Sequence, residues 1–248
     1  GATAVNGLAS KGLISFESVR EESLIKNFRY QLADPVNVLT THQADAVNYV
    51  EQALDDRQPG PKSVLLHGVT GSGKTEVYLR ALELCIARGR RAILLVPEIS
   101  LTPQMVQQVN ERFPGRVVMT HAGLSPRARF DAWWRVWEGT YDVVVGPRSA
   151  LFSPIENLGL IVLDEEHEWS YKSTEMTPYY HARDVALKLG NQLNIPVLMG
   201  SSTPDVVTYF RARRGGHRLF RLPKRIKPTT SGMPTTSNAT SDVDYMDG

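Results

Sequence analysis

Six short apolar runs, at residues 64–66, 92–96, 117–119, 143–145, 160–163 and 197–199, set the narrowest limits on what this chain can fold into. Each is mostly Val, Ile and Leu, and each is flanked by Gly, Pro or a polar residue. Continuous rather than alternating hydrophobicity marks strands covered on both faces, as in a parallel sheet. Helix-length stretches lie between them, at 75–88, 102–112 and 126–137. Strand and helix in alternation predict an α/β domain over 39–222, a doubly wound parallel sheet with helices on both faces. Ligands of such a sheet gather at the C-terminal edge of its strands. With 248 residues, 42% of them hydrophobic, the chain can bury one sizeable core. Phe130, Trp133, Trp134 and Trp137 fall at helical spacing and are expected mostly in that core.

The flanks read differently. Residues 1–38 are too few for a domain, and 8–16 suit the end of a small winged-helix module leading into a linker. Residues 223–248 pass from basic to Thr, Ser, Gly and Pro, the composition of a disordered or truncated tail. Lys+Arg 28 against Asp+Glu 26 gives a net charge of +2, which argues neither for nor against nucleic acid. The distribution is more telling. Eight basic residues from Arg211 to Lys227, with no acid among them, suit either a phosphate backbone or a solvated helix and its exit. A single cysteine, Cys85 in an apolar helical stretch, builds neither a disulfide nor a four-thiolate zinc site, so zinc is not expected and a reducing cytoplasm is. No apolar run approaches the roughly 18 residues that span a bilayer, so no membrane partner is expected.

The run Gly68-Val-Thr-Gly-Ser-Gly-Lys-Thr75 follows one predicted strand and opens a predicted helix. In that setting glycines let backbone N–H groups turn around phosphate oxygens, and the helix N-terminus adds its positive end. Gly68, Thr70, Gly71, Ser72 and Gly73 form the candidate cradle; Lys74 would reach the outer phosphates and the Thr75 hydroxyl would ligate Mg²⁺. The strand 160–163 ends in Asp164-Glu-Glu-His167. Asp164 is the candidate second Mg²⁺ ligand, and Glu165 the group that orients and polarises an attacking water. Lys74, Asp164 and Glu165 are thus the candidate catalytic set, with ATP and Mg²⁺ as ligands.

Further segments resemble superfamily-two helicases. Asp164-Glu-Glu-His167 resembles their acid motif, in which the histidine links the nucleotide side to the strand-binding side. Gly200-Ser-Ser-Thr-Pro204 resembles their Ser-Ala-Thr motif, with Ser202 in place of alanine, and makes Ser201 and Thr203 coupling candidates beside His167. Leu39-Thr-Thr-His-Gln43 resembles the glutamine motif; the Gln43 amide has the donor and acceptor that adenine recognition needs.

Residues 96–103 and 146–152 sit at two other strand ends. Their hydroxyls and amides, around Pro97, Ser100, Thr102, Arg148 and Ser149, suit either helix caps or phosphate contacts that do not read bases. After the acid motif come Trp169, Tyr171 and Lys172, with Arg183 further on; the aromatics either stack on unpaired bases or pack their own loop.

Together with His121-Ala-Gly-Leu-Ser125 and Tyr179-Tyr-His-Ala-Arg-Asp184, these segments resemble the primosomal replication-restart (PriA) helicases over about residues 39–222. The resemblance implies a RecA-like P-loop NTPase lobe, the first of two in an ATP-dependent bacterial DNA helicase. It also implies single-stranded or forked DNA, single-strand-binding protein and primosome proteins as partners, and a nucleoid-associated place in the cytoplasm. Members carry zinc-binding cysteines and a second lobe that this sequence lacks, so the isolated chain is expected to bind ATP–Mg²⁺ and hydrolyse it poorly. The competing readings are a single-strand-binding, partner-recruiting module without hydrolysis, and another superfamily-two translocase.

Overall fold

A computed structural model describes residues 38–100, 102–174 and 177–226. Of the expected winged-helix remnant and linker at 1–38 only residue 38 is described, and of the expected tail at 223–248 only 223–226; the rest lies outside the described residues.

The chain opens with α1 (Thr41–Leu54), started by a capping box in which Thr40 and Gln43 satisfy each other's backbone N–H. It continues through β1 (Ser63–Gly68), α2 (Lys74–Ala87), β2 (Arg91–Leu95), α3 (Pro103–Arg112), β3 (Val117–Met119), α4 (Pro126–Trp137), β4 (Val143–Gly146) and β5 (Leu158–Leu163). A short hairpin of β6 (Lys172–Ser173) and β7 (Tyr180–His181) precedes α5 (Ala182–Leu193), β8 (Val197–Ser201), α6 (Val206–Arg213) and β9 (Arg218–Leu222). Ser125 and Asp205 cap α4 and α6 with side-chain oxygens that accept from N–H groups of the first turn.

Seven strands form one sheet in the order β3-β4-β2-β5-β8-β1-β9, every pairing parallel. Successive strand residues face opposite sides, so each central strand feeds two cores. Ala92, Leu94, Leu160 and Val162 join α1, α2 and α3 on one face. Ile93, Leu95, Ile161 and Leu163 join α5 and the small residues of α4 on the other. Each fully buried Leu, Ile or Val contributes about 1.5–3 kcal/mol.

Two expectations are corrected here. The four aromatics of α4 are not core: Phe130 is 58% and Trp137 51% exposed, while Ala132 and Val136 face the sheet. The helix has two stripes at i,i+4 spacing, and its small stripe is the one that fits against the strands. The large stripe instead stacks along the helix surface, Phe130 on Trp134 at 6.2 Å and Trp133 on Trp137 at 6.1 Å. The basic run is neither wholly a helix nor an exit. Its Arg218–Leu222 portion is strand β9, which pairs with β1 from Val64↔Arg218 to Gly68↔Leu222.

Candidate functional site

Because the strands are parallel, Gly68 at the end of β1, Ser201 at the end of β8 and Asp164 just beyond β5 all lie on one sheet edge. Two strand steps separate the loop from the acids, with β8 between them.

The loop after β1 turns through Gly71 and Gly73, at φ +79° and +78°, a region that Cβ-bearing residues disfavour. Gly73 is the N-cap of α2 and supplies no side-chain cap, so the first N–H groups of that helix have no competing oxygen from their own N-cap. Ser72 Oγ is buried and has no hydrogen-bond partner. Lys74, also buried, donates to the Gly68 carbonyl at 3.0 Å, and its Nζ is 3.5 Å from Glu165 Oε1. Thr70 is exposed and Thr75 half-buried at the same loop. An unsatisfied hydroxyl, uncapped amides and a lysine at the mouth of one loop fit a phosphate chain.

Asp164 is fixed from three directions. Its Oδ1 accepts from the Tyr78 hydroxyl at 3.0 Å and from the Glu165 N–H at 3.0 Å, and its backbone carbonyl accepts from the Tyr171 hydroxyl at 2.7 Å. Burial and the neighbouring Glu165 charge raise its carboxyl above the usual carboxylate value, against the lowering pull of Tyr78 and Lys74. A carboxylate held this way gains from a cation, and the Thr75 hydroxyl is the other oxygen that sequence assigns to the same ion. Glu165 adopts φ +44°, unusual for a residue with a Cβ, and that turn aims its carboxylate at both Lys74 and the end of β8.

The structure brings the coupling candidates together. His167 Nδ1 lies 2.7 Å from Ser201 Oγ and its Nε2 3.2 Å from Thr203 Oγ1. Ser202 donates its N–H to Glu165 Oε2 at 3.4 Å, so the acid motif and the β8 end share one hydrogen-bond network.

Three assignments change. Gln43 is buried, and its amide is already committed: Oε1 accepts from Thr40, and Nε2 donates to the Ser72 and Gly73 carbonyls at 3.1 and 3.3 Å. It braces the phosphate loop, with no amide edge turned out for a base. Tyr171 is 0% exposed and bonded to Asp164, so it stacks on no DNA base. Arg183 is also buried, where its Nη1 donates to Glu166 Oε2 at 2.8 Å.

Glu166 is the residue the sequence reading passed over. It is fully buried and accepts from Arg183, from the Thr208 hydroxyl and from the Asp205 N–H at 2.8 Å, while its own N–H donates to the Gly200 carbonyl. The signal was present as the last acid of the three-acid run Asp164-Glu165-Glu166, one more than a solvated strand end requires.

The expected strand-binding residues lie at neighbouring strand ends. Pro97 is buried, Ser100 half-buried, and Thr102 caps α3 by accepting from the Met105 N–H. Ser149 is exposed. Arg148 donates to the Ser170 and Lys172 carbonyls at 2.8 and 3.2 Å and so braces the hairpin. Trp169 is 71% exposed with the Lys172 ammonium 4.8 Å from its ring centre.

Comparison with known proteins agrees with this arrangement. A family model described as "DEAD/DEAH box helicase" matches residues 40–210. Replication restart protein PriA of Bacillus subtilis (strain 168) is 43% identical over 227 residues, 91% of this chain and 28% of that protein. The PriA protein of Chlamydia trachomatis is 42% identical over 205 residues, 83% of this chain and 27% of its own length. This chain therefore spans under a third of these relatives. Among solved structures, RecG bound to three-way DNA junction superposes with TM-score 0.55 at 21% identity, over 90% of this chain and 26% of that one. MrfA bound to DNA gives 0.53 at 22%, over 75% of this chain and 27% of that one. At these identities the likeness concerns the fold, which is the parallel α/β sheet anticipated from the strand pattern and the RecA-like lobe that the family resemblance implies. With the phosphate loop, the acid run and the β8 end on one edge and the family model covering 40–210, the chain belongs to the DEAD/DEAH box helicase family.

Proposed function

We propose that this chain is the ATP-binding lobe of an ATP-dependent DNA helicase that acts in replication restart. The observation that carries the reading is the approach of Lys74 Nζ to Glu165 Oε1, 3.5 Å, from loops two strands apart. Loop amides at 73–75 would receive the phosphates, and Lys74 would carry the charge that meets them. Thr75 and Asp164 would hold Mg²⁺, which supplies charge neutralisation on phosphate oxygens when bound. Glu165 would orient water for attack on the terminal phosphate. His167, hydrogen-bonded to Ser201 and Thr203, would relay the state of that carboxylate toward the strand-binding side.

Single-stranded or forked DNA is the proposed polymer. Ser149, Thr102 and Ser100 would take phosphates, and Trp169 with Lys172 would stack and attract at an exposed hairpin. The likeness to the PriA proteins supports replication restart as the setting, with single-strand-binding protein and primosome proteins as partners and the bacterial nucleoid as the place. Thr70 and Gly71 are exposed at the cradle, and slow turnover by the isolated chain is proposed with that open face in view.

Titration of ATP with Mg²⁺ into the chain by calorimetry tests the core of this. Saturable binding that Lys74→Ala weakens at least tenfold is the expected result. Equal binding by both proteins overturns it.

A further inference from the structure

After β9 the chain lies across the outer side of the phosphate loop. The Ile226 N–H donates to the Gly71 carbonyl at 2.9 Å. A Cβ built on Gly68 would stand 2.9 Å from Leu222 Cβ, one on Gly71 3.9 Å from Arg225 Cγ, and one on Gly73 2.6 Å from Ile226 Cδ1. The same Cβ on Gly73 would overlap Gln43 Nε2, the atom that donates to the Ser72 and Gly73 carbonyls. Three successive carbonyls of the loop, at 71, 72 and 73, are thus bound by two segments that are distant in sequence.

A trans peptide points its C=O and N–H in opposite directions. Holding the carbonyls of Ser72 and Gly73 outward therefore turns the N–H groups of Gly73 and Lys74 the other way, into the cradle. Ile226 holds the Gly71 carbonyl, and the N–H on the far side of that peptide, on Ser72, donates to the Val69 carbonyl at 3.0 Å, so this peptide is pinned at both ends. The missing side chains at Gly71 and Gly73 allow the positive φ of the loop, and those at Gly68 and Gly73 leave room for the segment lying on it.

We infer that residues 222–226 form a positioning strap for the phosphate loop, anchored by the Ile226 N–H and by the Ile226 side chain seated beside Gly73 and Gln43. The inference rests on the nucleotide reading above. The strap touches no phosphate; it limits the movement of the Gly71–Ser72 peptide and of Gly73, next to the peptides that do. Loop amides that need not reorganise on binding give tighter complexes, so the strap's loss appears first in nucleotide affinity.

The full 248-residue chain is compared with Ile226→Pro, which deletes the N–H, with Ile226→Ala, which keeps it and removes the side chain, and with Ile226→Val. Three readouts are taken: affinity for a fluorescent ADP with Mg²⁺, melting temperature, and amide exchange at 71–74 without nucleotide. The expected result is roughly tenfold weaker binding by Ile226→Pro, which corresponds to about 1.4 kcal/mol. Several-fold weaker binding is expected of Ile226→Ala and near-normal binding of Ile226→Val, with faster exchange at 71–74 in the first two and little change in melting. Binding by Ile226→Pro and Ile226→Ala within twofold of the unmodified chain, or loop exchange unchanged in both, overturns the strap alone. No saturable binding by the unmodified chain removes the nucleotide reading and the strap with it.

Discussion

The Tyr78 hydroxyl donates to Asp164 Oδ1 at 3.0 Å and so joins the helix that follows the phosphate loop to the acid that follows β5. Tyr78 is buried and Asp164 half-buried, and the bond spans the end of β8, where a Cβ on Gly200 would run into the same hydroxyl. The two halves of the nucleotide site are therefore tied by a side chain that belongs to neither sequence motif. Tyr78→Phe removes the bond and keeps the ring. It is expected to cost about 2 kcal/mol in urea unfolding and to weaken Mg²⁺-dependent nucleotide binding several-fold. Loss of stability with nucleotide affinity untouched would refute the tie.

Glu166 and Arg183 form a buried ion pair at 2.8 Å, and the other Glu166 oxygen accepts from the Asp205 N–H that begins α6. Removing Glu166 leaves the buried Arg183 with only the more exposed Asp205, at 3.4 Å, and Asp184, at 3.9 Å, as acids, and leaves the Asp205 N–H without its acceptor. Glu166→Ala is expected to destabilise the fold by roughly 3–5 kcal/mol, and Glu166→Gln by less, since the amide oxygen still accepts. Denaturant midpoints of the two variants check the order; equal midpoints contradict it.

Trp169 and Tyr171 sit two residues apart and are predicted to part company in a binding assay. Trp169→Ala is expected to weaken binding of a labelled single strand by the equivalent of about 1–3 kcal/mol. Tyr171→Phe leaves that affinity in place and instead lowers stability, by about 1 kcal/mol for the bond to the Asp164 carbonyl. A DNA defect confined to Tyr171→Phe would reverse the assignment of the two rings.

His217 and His181 both have lowered pKa values, foremost because they are buried, with Arg211 and Arg183 respectively adding to the effect. Each folded imidazole therefore takes up a proton less readily than its unfolded counterpart. Stability is full above the unfolded value near 6.5 and is lost as pH falls through the folded values. His217 also contacts Ser63 Oγ at 2.8 Å through Nδ1. Unfolding free energies measured between pH 7.5 and 5.0 are expected to fall less steeply for His217→Gln than for the unmodified chain. Parallel curves would show that His217 does not titrate in this way.

Much of the fold was legible because its signals are local. The six apolar runs each became a strand of the main sheet, and Pro126–Trp137 is a helix with the bounds its pattern suggests. β9 was not legible. Its five residues, Arg-Leu-Phe-Arg-Leu at 218–222, mix charged and apolar side chains without alternation inside a basic run, and their strand character comes from pairing with β1 at the sheet edge. The winged-helix remnant and the tail from 227 onward lie beyond the described residues.

By itself the sequence determined the parallel sheet, the phosphate loop and the acids at strand ends, because periodicity and loop chemistry depend on neighbours a few residues away. Tertiary structure decided which stripe of α4 faces the strands, that Tyr171 turns inward while Trp169 turns out, and that the Gln43 amide is occupied by loop carbonyls. It also decided that the Glu166 charge meets Arg183, and that residues 222–226 reach the loop. Those choices follow from strand order and from side-chain volume across the sheet. Both are relationships between residues tens of positions apart, which periodicity along the chain does not carry.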